Sequence, residues 1–314
     1  MSNIVLTFPK TKLHELETYY RDDVKGKPAH SIFQAKKDGV TITAYQSGKV
    51  MFQGNGAEQE ASIWQSSHSS VKAHSSKEKK TVNDHAYQPD KRLFQMSHIG
   101  TDEAGTGDYF GPITVASAYV SEENLSILQS LGITDSKQLT DENILALSKE
   151  IVQHNIPYSL LTLPNQKYNQ MQQKGWNQGK MKAMLHHHAI QKLLAKLDVE
   201  TPPSILIDQF CPPATYSKYL RQEGQKMQQN MYFMTKAESY STSVAVASII
   251  ARAKFVKDMD QLTKSIGVEI PKGASQRVDE MGAYIVKKFG KERLQHIAKT
   301  HFANTKKLET YLRQ

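Results

Sequence analysis

Ile99-Gly100-Thr101-Asp102-Glu103-Ala104-Gly105-Thr106-Gly107-Asp108-Tyr109-Phe110-Gly111-Pro112, followed by an apolar run over residues 113–120, decides how this chain is read. Two adjacent acids stand at the end of a predicted strand. A loop with glycines at 105, 107 and 111 follows at once. Paired carboxylates beside a bare backbone can hold a hard divalent cation while a bulky substrate comes close. An Asp-Glu pair at a strand end is, by itself, more often a solvated turn. The functional reading therefore depends on where the other acids fall.

Toward the C-terminus the pattern alternates between strand and helix, as in an α/β layer. Residues 94–101 and 113–120 read as successive strands. Asp135-Ser136-Lys137-Gln138-Leu139 is a polar turn, and Thr140 caps a helix over 141–153 with Ile144, Leu147 and Ile151 inward. A third strand covers 156–163 and stops at Pro164. A long helix over 176–197 is broken by Pro202-Pro203. Ser204-Ile205-Leu206-Ile207-Asp208 is short, apolar and closed by one acid, as a strand inside a sheet would be. A strand at 232–235 leads to Glu238, just before a helix over 242–256, where the helix dipole favours a carboxylate. The first half of that helix, residues 244–251, is small and apolar all round, which lets it lie close against a sheet. Helices at 276–289 and 291–299 and a short terminal one complete the chain.

Three strand-like segments thus deliver acids at their ends: Asp102 with Glu103, Asp208, and Glu238. In open α/β sheets, functional residues collect at strand ends. Four carboxylates gathered there repel one another unless cations neutralise them. Magnesium takes oxygen ligands and suits phosphate chemistry, and two ions about 4 Å apart can activate water and stabilise a leaving oxygen. No Cys or His cluster has zinc spacing. His186-His187-His188 falls inside the long helix and reads as surface polarity. Cys211, the single cysteine, has no evident base beside it and rules out an internal disulfide framework.

Toward the N-terminus, residues 3–8 read as a strand and 12–21 as a helix with Leu13, Leu16 and Tyr20 on one face. Three strands follow at 31–35, 40–45 and 49–53, joined by Asp38-Gly39 and Ser47-Gly48 turns, then a helix over 57–64. This small α+β domain, residues 1–66, carries 8 basic and 7 acidic residues and no acid cluster. A Ser- and Lys-rich stretch, 67–91, reads as a polar linker. The α/β part spans 92–314. Overall, 40 Lys and Arg against 31 Asp and Glu give a net charge of +9, compatible with a polyanionic partner. There is no secretory pattern at the N-terminus and no 18-residue apolar window. A cytoplasmic monomer with no membrane contact and no obligate protein partner is expected.

The runs Asp102-Glu103-Ala104-Gly105, Asp135-Ser136-Lys137-Gln138-Leu139, Ile207-Asp208 and Ala245-Val246-Ala247-Ser248-Ile249-Ile250-Ala251-Arg252 resemble type 2 ribonuclease H, over about residues 92–305. Finer features resemble its ribonuclease HIII branch. Gly105-Thr106-Gly107 stands where the HII branch has Gly-Arg-Gly, and Glu238 in Lys236-Ala237-Glu238-Ser239 stands where that branch has Asp. Pro271-Lys272-Gly273-Ala274 and His301-Phe302-Ala303-Asn304-Thr305 also resemble HIII. The resemblance implies an α/β ribonuclease H-like mixed sheet flanked by helices. It also implies a small N-terminal α+β domain similar to half of a TATA-binding protein, with its hairpin at 45–54, used to hold substrate.

The activity it implies is endonucleolytic hydrolysis of the RNA strand of RNA/DNA hybrids with Mg²⁺ or Mn²⁺, two ions, leaving 5′-phosphate and 3′-hydroxyl ends. Asp102, Glu103, Asp208 and Glu238 are then the catalytic metal ligands. Ala104, Gly105, Thr106 and Gly107 offer backbone N–H groups to the sugar-phosphate chain, and Ser136 and Lys137 are candidates for phosphate contact. Tyr240 and Arg252 are weaker candidates, Arg252 having an alternative as a helix anchor. Two other readings are a ribonuclease HII-like nuclease cutting at single ribonucleotides and a hybrid-binding protein without catalysis.

Overall fold

The structure, a computed structural model, describes residues 3–28, 30–65, 85–133, 139–199 and 201–312. The chain divides into two compact units, Met1–Lys79 and Lys80–Gln314.

In the first unit β1 (Asn3–Thr7), α1 (Lys10–Tyr19), β2 (Val24–Gly26), β3 (Ser31–Lys37), β4 (Val40–Tyr45), β5 (Lys49–Gln53) and α2 (Ala57–Gln65) follow in order. The strands form one antiparallel sheet, β1-β5-β4-β3-β2. Hydrophobic alternation does not reveal β2, which is three residues long and buries none of them. Asp38 and Gly39 both take positive φ, 47° and 79°, the backbone twist that a two-residue hairpin demands. Alternate strand residues, Phe33, Ala35, Ile42, Ala44, Val50 and Phe52, pack with Leu13, Leu16, Tyr20, Ala57, Ala61 and Trp64. The Tyr20 hydroxyl donates to Glu60 at 2.7 Å and accepts from the Trp64 indole at 2.9 Å, so this core carries a satisfied polar pair.

The second unit runs β6 (His98–Ala104), β7 (Ile113–Val120), α3 (Glu122–Ser130), α4 (Asp141–Gln153), β8 (Tyr158–Leu163), α5 (Asn165–Gln173) and α6 (Gln178–Leu194). It continues with β9 (Ser204–Asp208), α7 (Pro213–Gln222), β10 (Met231–Met234), α8 (Thr242–Ile266), α9 (Gln276–Phe289), α10 (Arg293–Ile297) and α11 (Ala303–Leu312). The sheet order is β10-β9-β6-β7-β8. β6, β9 and β10 pair in parallel, while β7 pairs antiparallel with both β6 and β8, so the sheet is mixed. One face packs on α8 through Ala116, Ala118 and Val120, and the other on α6 through Ile99, Ile113 and Val115.

Gly100 shows why the small-residue helix is needed. A Cβ there would stand 2.1 Å from the Val244 amide nitrogen and 2.2 Å from the Ser243 carbonyl carbon. Strand and helix backbones therefore touch at the centre of the sheet. The helix itself reaches Ile266, ten residues beyond its sequence-based end, before Gly267 takes a left-handed cap.

Other boundaries shift for local reasons. Residues 94–95 lie in a 3-10 turn, Lys91–Gln95, capped by the Asp90 carboxylate, and β6 starts later, at His98. α3, α5 and α7 are short or strongly polar, and sequence periodicity does not separate them from loops. Leu147, midway along α4, is half-buried, and Ser148 takes the buried position. Residues 85–91, assigned to the linker by composition, belong to the second unit. The Tyr87 carbonyl accepts from the Phe233 amide at 2.9 Å and its ring meets Phe233 edge-on. His85 adds a second tie, its Nε2 lying 2.9 Å from Gln209 Oε1. Among the described residues no helix is long and apolar enough to cross a membrane.

The C-terminal helices close around the loop after β6. Tyr109 and Phe110 are buried among residues of α8, α9, α10 and α11. The Lys299 ammonium donates to the carbonyls of Asp108 and Gly111 at 2.7 and 2.6 Å, and Asn165 donates to Gly111 at 2.8 Å.

Candidate active site

Asp102 and Glu103 stand just before the end of β6, and successive strand side chains point to opposite faces. Asp102 turns to the α8 face, where the Ser248 hydroxyl donates to it, and it also accepts the Glu103 amide at 2.7 Å. Glu103 turns to the α6 face. There Lys182 Nζ donates to Oε1 at 2.7 Å and His186 Nε2 lies 2.8 Å from Oε2. The parallel register pairs Thr101 with Ile207, so Asp208 leaves β9 level with Asp102. Asp208 Oδ1 accepts the Ala237 amide at 3.0 Å. That bond ties the third acid to the 3-10 turn Ala237–Ser239, which carries the buried Glu238.

The two faces drive the adjacent acids in opposite directions. Burial, then the Glu103 and Asp208 carboxylates, push Asp102 well above the usual carboxyl range, and hydrogen bonds from Ser248 and the Glu103 amide only partly oppose this. Burial also works against the charge of Glu103, but His186 and Lys182 outweigh it and hold the carboxyl below its ordinary value. Among the described residues no three His, Cys, Asp or Glu side chains form a finished metal cage. Each Glu103 oxygen is held by one donor on α6. The donor set still fits a hard divalent cation: it is all oxygen, and its negative charge crowds a buried carboxyl.

Ala104 ends β6, and Gly105 turns with φ 83°; a Cβ there would meet the Pro112 carbonyl oxygen at 2.3 Å. Thr106 is half-buried, its carbonyl accepting from Gln178 at 2.9 Å, whereas Gly107 is exposed with nothing within 4 Å of a Cβ position. Ser136 and Lys137 lie outside the described residues. Just downstream of them, Arg252 donates to the Leu139 carbonyl at 3.0 Å and to Asp141 at 3.2 Å, and Lys272 also pairs with Asp141. Arg252 is thus an anchor between α8 and α4. Tyr240 is exposed and stacks on Phe94.

The histidine triplet is not surface polarity. His186 and His187 are buried, and only His188 is exposed. Burial pushes the His187 imidazole down, and its Nε2 lies 3.2 Å from Gln225 Oε1. Sequence reasoning also missed Lys182 and Ser248. One signal was available: Ala183, His186, Ile190 and Leu193 form a single helical stripe whose other members are apolar and buried. A polar residue on such a stripe needs a buried partner, and Glu103 is that partner. Burial raises the Cys211 thiol to about 11, so it is no ready nucleophile.

A family model described as Ribonuclease HII matches residues 99–305, and the chain belongs to this type 2 ribonuclease H family of endonucleases. A second model, a domain of unknown function (DUF3378), matches residues 3–77. Within the family the chain belongs to the ribonuclease HIII branch. It is 51% identical to Ribonuclease HIII of Oceanobacillus iheyensis, over 99% of this chain and 100% of that one. It is 47% identical to Ribonuclease HIII of Bacillus cereus ATCC 14579 over the whole of both chains. The solved Bst-RNase HIII in complex with Mn²⁺ is 40% identical, with a TM-score of 0.68 over 99% of both chains. Aquifex aeolicus RNase H3, 21% identical with a TM-score of 0.54 over 95% of this chain and 99% of that one, shares the fold.

Proposed function

We propose that this protein hydrolyses the RNA strand of RNA/DNA hybrids, leaving 5′-phosphate and 3′-hydroxyl ends, with Asp102, Glu103, Asp208 and Glu238 holding two Mg²⁺ or Mn²⁺ ions. One observation carries the reading. The buried Asp102 carboxyl is forced up by burial and by two neighbouring carboxylates, a crowding that a divalent cation relieves. The Mn²⁺ complex of a 40% identical protein agrees with it. When bound, such ions supply an activated water and stabilise the leaving 3′ oxygen.

The chain's own residues do the rest. Asp102 and Asp208 leave adjacent parallel strands side by side, and Ser248 and the Ala237 amide set their orientations. The turn of residues 104–107, with Gly107 exposed, offers N–H groups to a 2′-hydroxyl or phosphate. Ser136 and Lys137 contact a further phosphate. Residues 1–66 form a substrate-holding domain, separate from the catalytic one. The sheet face opposite α1 and α2 supports this. It carries Gln34, Lys36, Thr41, Met51 and Gln53, each half-buried or exposed, as suits the wide minor groove of an A-like duplex.

The deciding experiment is Asp208→Asn, which keeps the shape but gives a dication one neutral oxygen. Cleavage should fall by more than about 100-fold, the most that loss of a mere supporting partner costs, while hybrid binding and the fold persist. Near-normal turnover at saturating Mg²⁺ would overturn the assignment.

A further inference from the structure

We infer that Lys182 and His186 are positioning residues that lock the Glu103 carboxylate for metal binding, and that the Lys182 ammonium deliberately weakens the site's hold on its cations. The inference rests on the metal reading proposed above and concerns how tightly and in what pose the second acid serves it.

Residues 182 and 186 lie one turn apart on α6 and so share a face. Each takes one oxygen of Glu103: Lys182 donates to Oε1 at 2.7 Å and His186 Nε2 sits 2.8 Å from Oε2. The Lys182 side chain is only 13% exposed and that of His186 not at all. Both are backed by one ring. Phe210, two residues after Asp208, lies 4.2 Å from the Lys182 ammonium and stacks on His186 at 5.0 Å. The wall that holds these two donors is therefore part of the strand exit that carries the third acid.

His186 is itself fixed from behind. Its Nδ1 lies 2.9 Å from the Thr101 hydroxyl. That hydroxyl gives its own hydrogen to the Ala116 carbonyl at 2.8 Å and accepts from Ser117 at 3.0 Å. A continuous chain of bonds runs from β7 through β6 to α6 and ends on the catalytic candidate Glu103.

Two consequences follow from this geometry. A carboxylate oxygen has two lone pairs, so one on each oxygen stays available to a cation after the α6 donors are served. Glu103 cannot swing without breaking both bonds. A fixed ammonium against a metal ligand also repels a dication through a poorly screened interior. Lys182 therefore trades ion affinity for a fixed ligand pose.

The test uses the full chain and three variants: Lys182→Met, Lys182→Arg and His186→Gln. Mn²⁺ binding without nucleic acid is read from the free-ion EPR signal. kcat and KM on a continuous hybrid are measured separately, and circular dichroism checks the fold. Lys182→Met should bind Mn²⁺ about 10-fold more tightly yet turn over 10- to 100-fold more slowly, the range for loss of a ligand's supporting partner. KM for hybrid should not move. Lys182→Arg, which keeps charge and donor, should restore both values toward wild type, and His186→Gln should slow turnover. Wild-type Mn²⁺ affinity and kcat in both Lys182→Met and His186→Gln would overturn the inference. So would equal losses in affinity, kcat and fold in all three variants, the mark of plain structural damage. If wild-type protein binds no Mn²⁺, or Asp208→Asn binds it equally, the metal reading itself falls and takes this inference with it. If those controls hold and Lys182→Met alone behaves as wild type, only the inference fails.

Discussion

Lys299 should make the stability of the second unit rise with pH. It is fully buried, its Nζ donating to the Asp108 and Gly111 carbonyls. Burial pushes its pKa from 10.5 down to about 7, against the pull of the Asp108 carboxylate. Between those two values the unfolded chain carries a proton that the folded chain lacks. Raising pH therefore favours the folded form, and the penalty of the buried amine, complete below about pH 7, is gone above 10.5. From pH 7 to pH 9 the gain is about 2 kcal/mol, from roughly 1.4 kcal/mol per pH unit once the folded form is deprotonated. The protein has two tryptophans, Trp64 in the first unit and Trp176 in the second. In a Trp64→Phe background, urea unfolding followed by fluorescence reports on the second unit alone. The unfolding free energy of the Lys299 protein minus that of Lys299→Met should climb by about 2 kcal/mol between pH 7 and pH 9. Parallel curves would refute the reasoning and mean that the two carbonyls hold the proton on the buried amine. Direct NMR titration of Lys299 Nζ serves if the variant does not fold, and a midpoint above 9 refutes it equally.

Three further outcomes are expected. Gly100→Ala places a methyl 2.1 Å from the Val244 backbone nitrogen; it should cost about 3 kcal/mol or more, as overpacking against an unyielding element does, and an unchanged melting temperature would show that α8 can lift off β6. Removing residues 1–79 should weaken hybrid binding, measured by fluorescence anisotropy at matched salt, while leaving some cleavage; an unchanged Kd would assign the first unit another task. A duplex with one ribonucleotide in all-DNA strands should be cut more slowly than a hybrid with a continuous RNA strand, because Thr106 lacks the charged planar fork that arginine offers a phosphate; equal or faster initial rates on the single-ribonucleotide duplex in one Mg²⁺ buffer would contradict this.

Much of the fold lies in local signals. The glycine at 100 and the small helix at 244–251 are two halves of one contact, and each is visible in the sequence alone. The Asp38-Gly39 hairpin follows from the only backbone conformations a two-residue turn accepts. What could not be read depends on tertiary partners. β2 buries nothing, Tyr87 needs β10 before it is anything but linker, and α5 has too little apolar surface to announce itself. At the candidate site the acids were legible because they end strands, whereas Lys182, His186 and Ser248 reach them from helices far along the chain. Their roles depend on side-chain direction, which residue type alone does not encode. The triplet at 186–188 misled because three like residues suggest one environment, and a helix gives each a different one.

The anchoring of the 108–111 loop by Lys299 bears on synthesis. The acids at 102 and 103 leave the ribosome early, but the groups that secure the loop beside them are made almost two hundred residues later. Gly111 donates its amide to Ile297, and Phe110 bridges to Ala298. A nascent chain that has grown only to α9 holds its carboxylates on a strand whose following loop still lacks its bonds to Ile297, Ala298 and Lys299. Such late, long-range closure slows folding, and part of the loop's fastening arrives with the last helices rather than with the acids. A fragment released early by a stalled ribosome would carry all four acids, yet it would lack the fastening that sets the loop beside them.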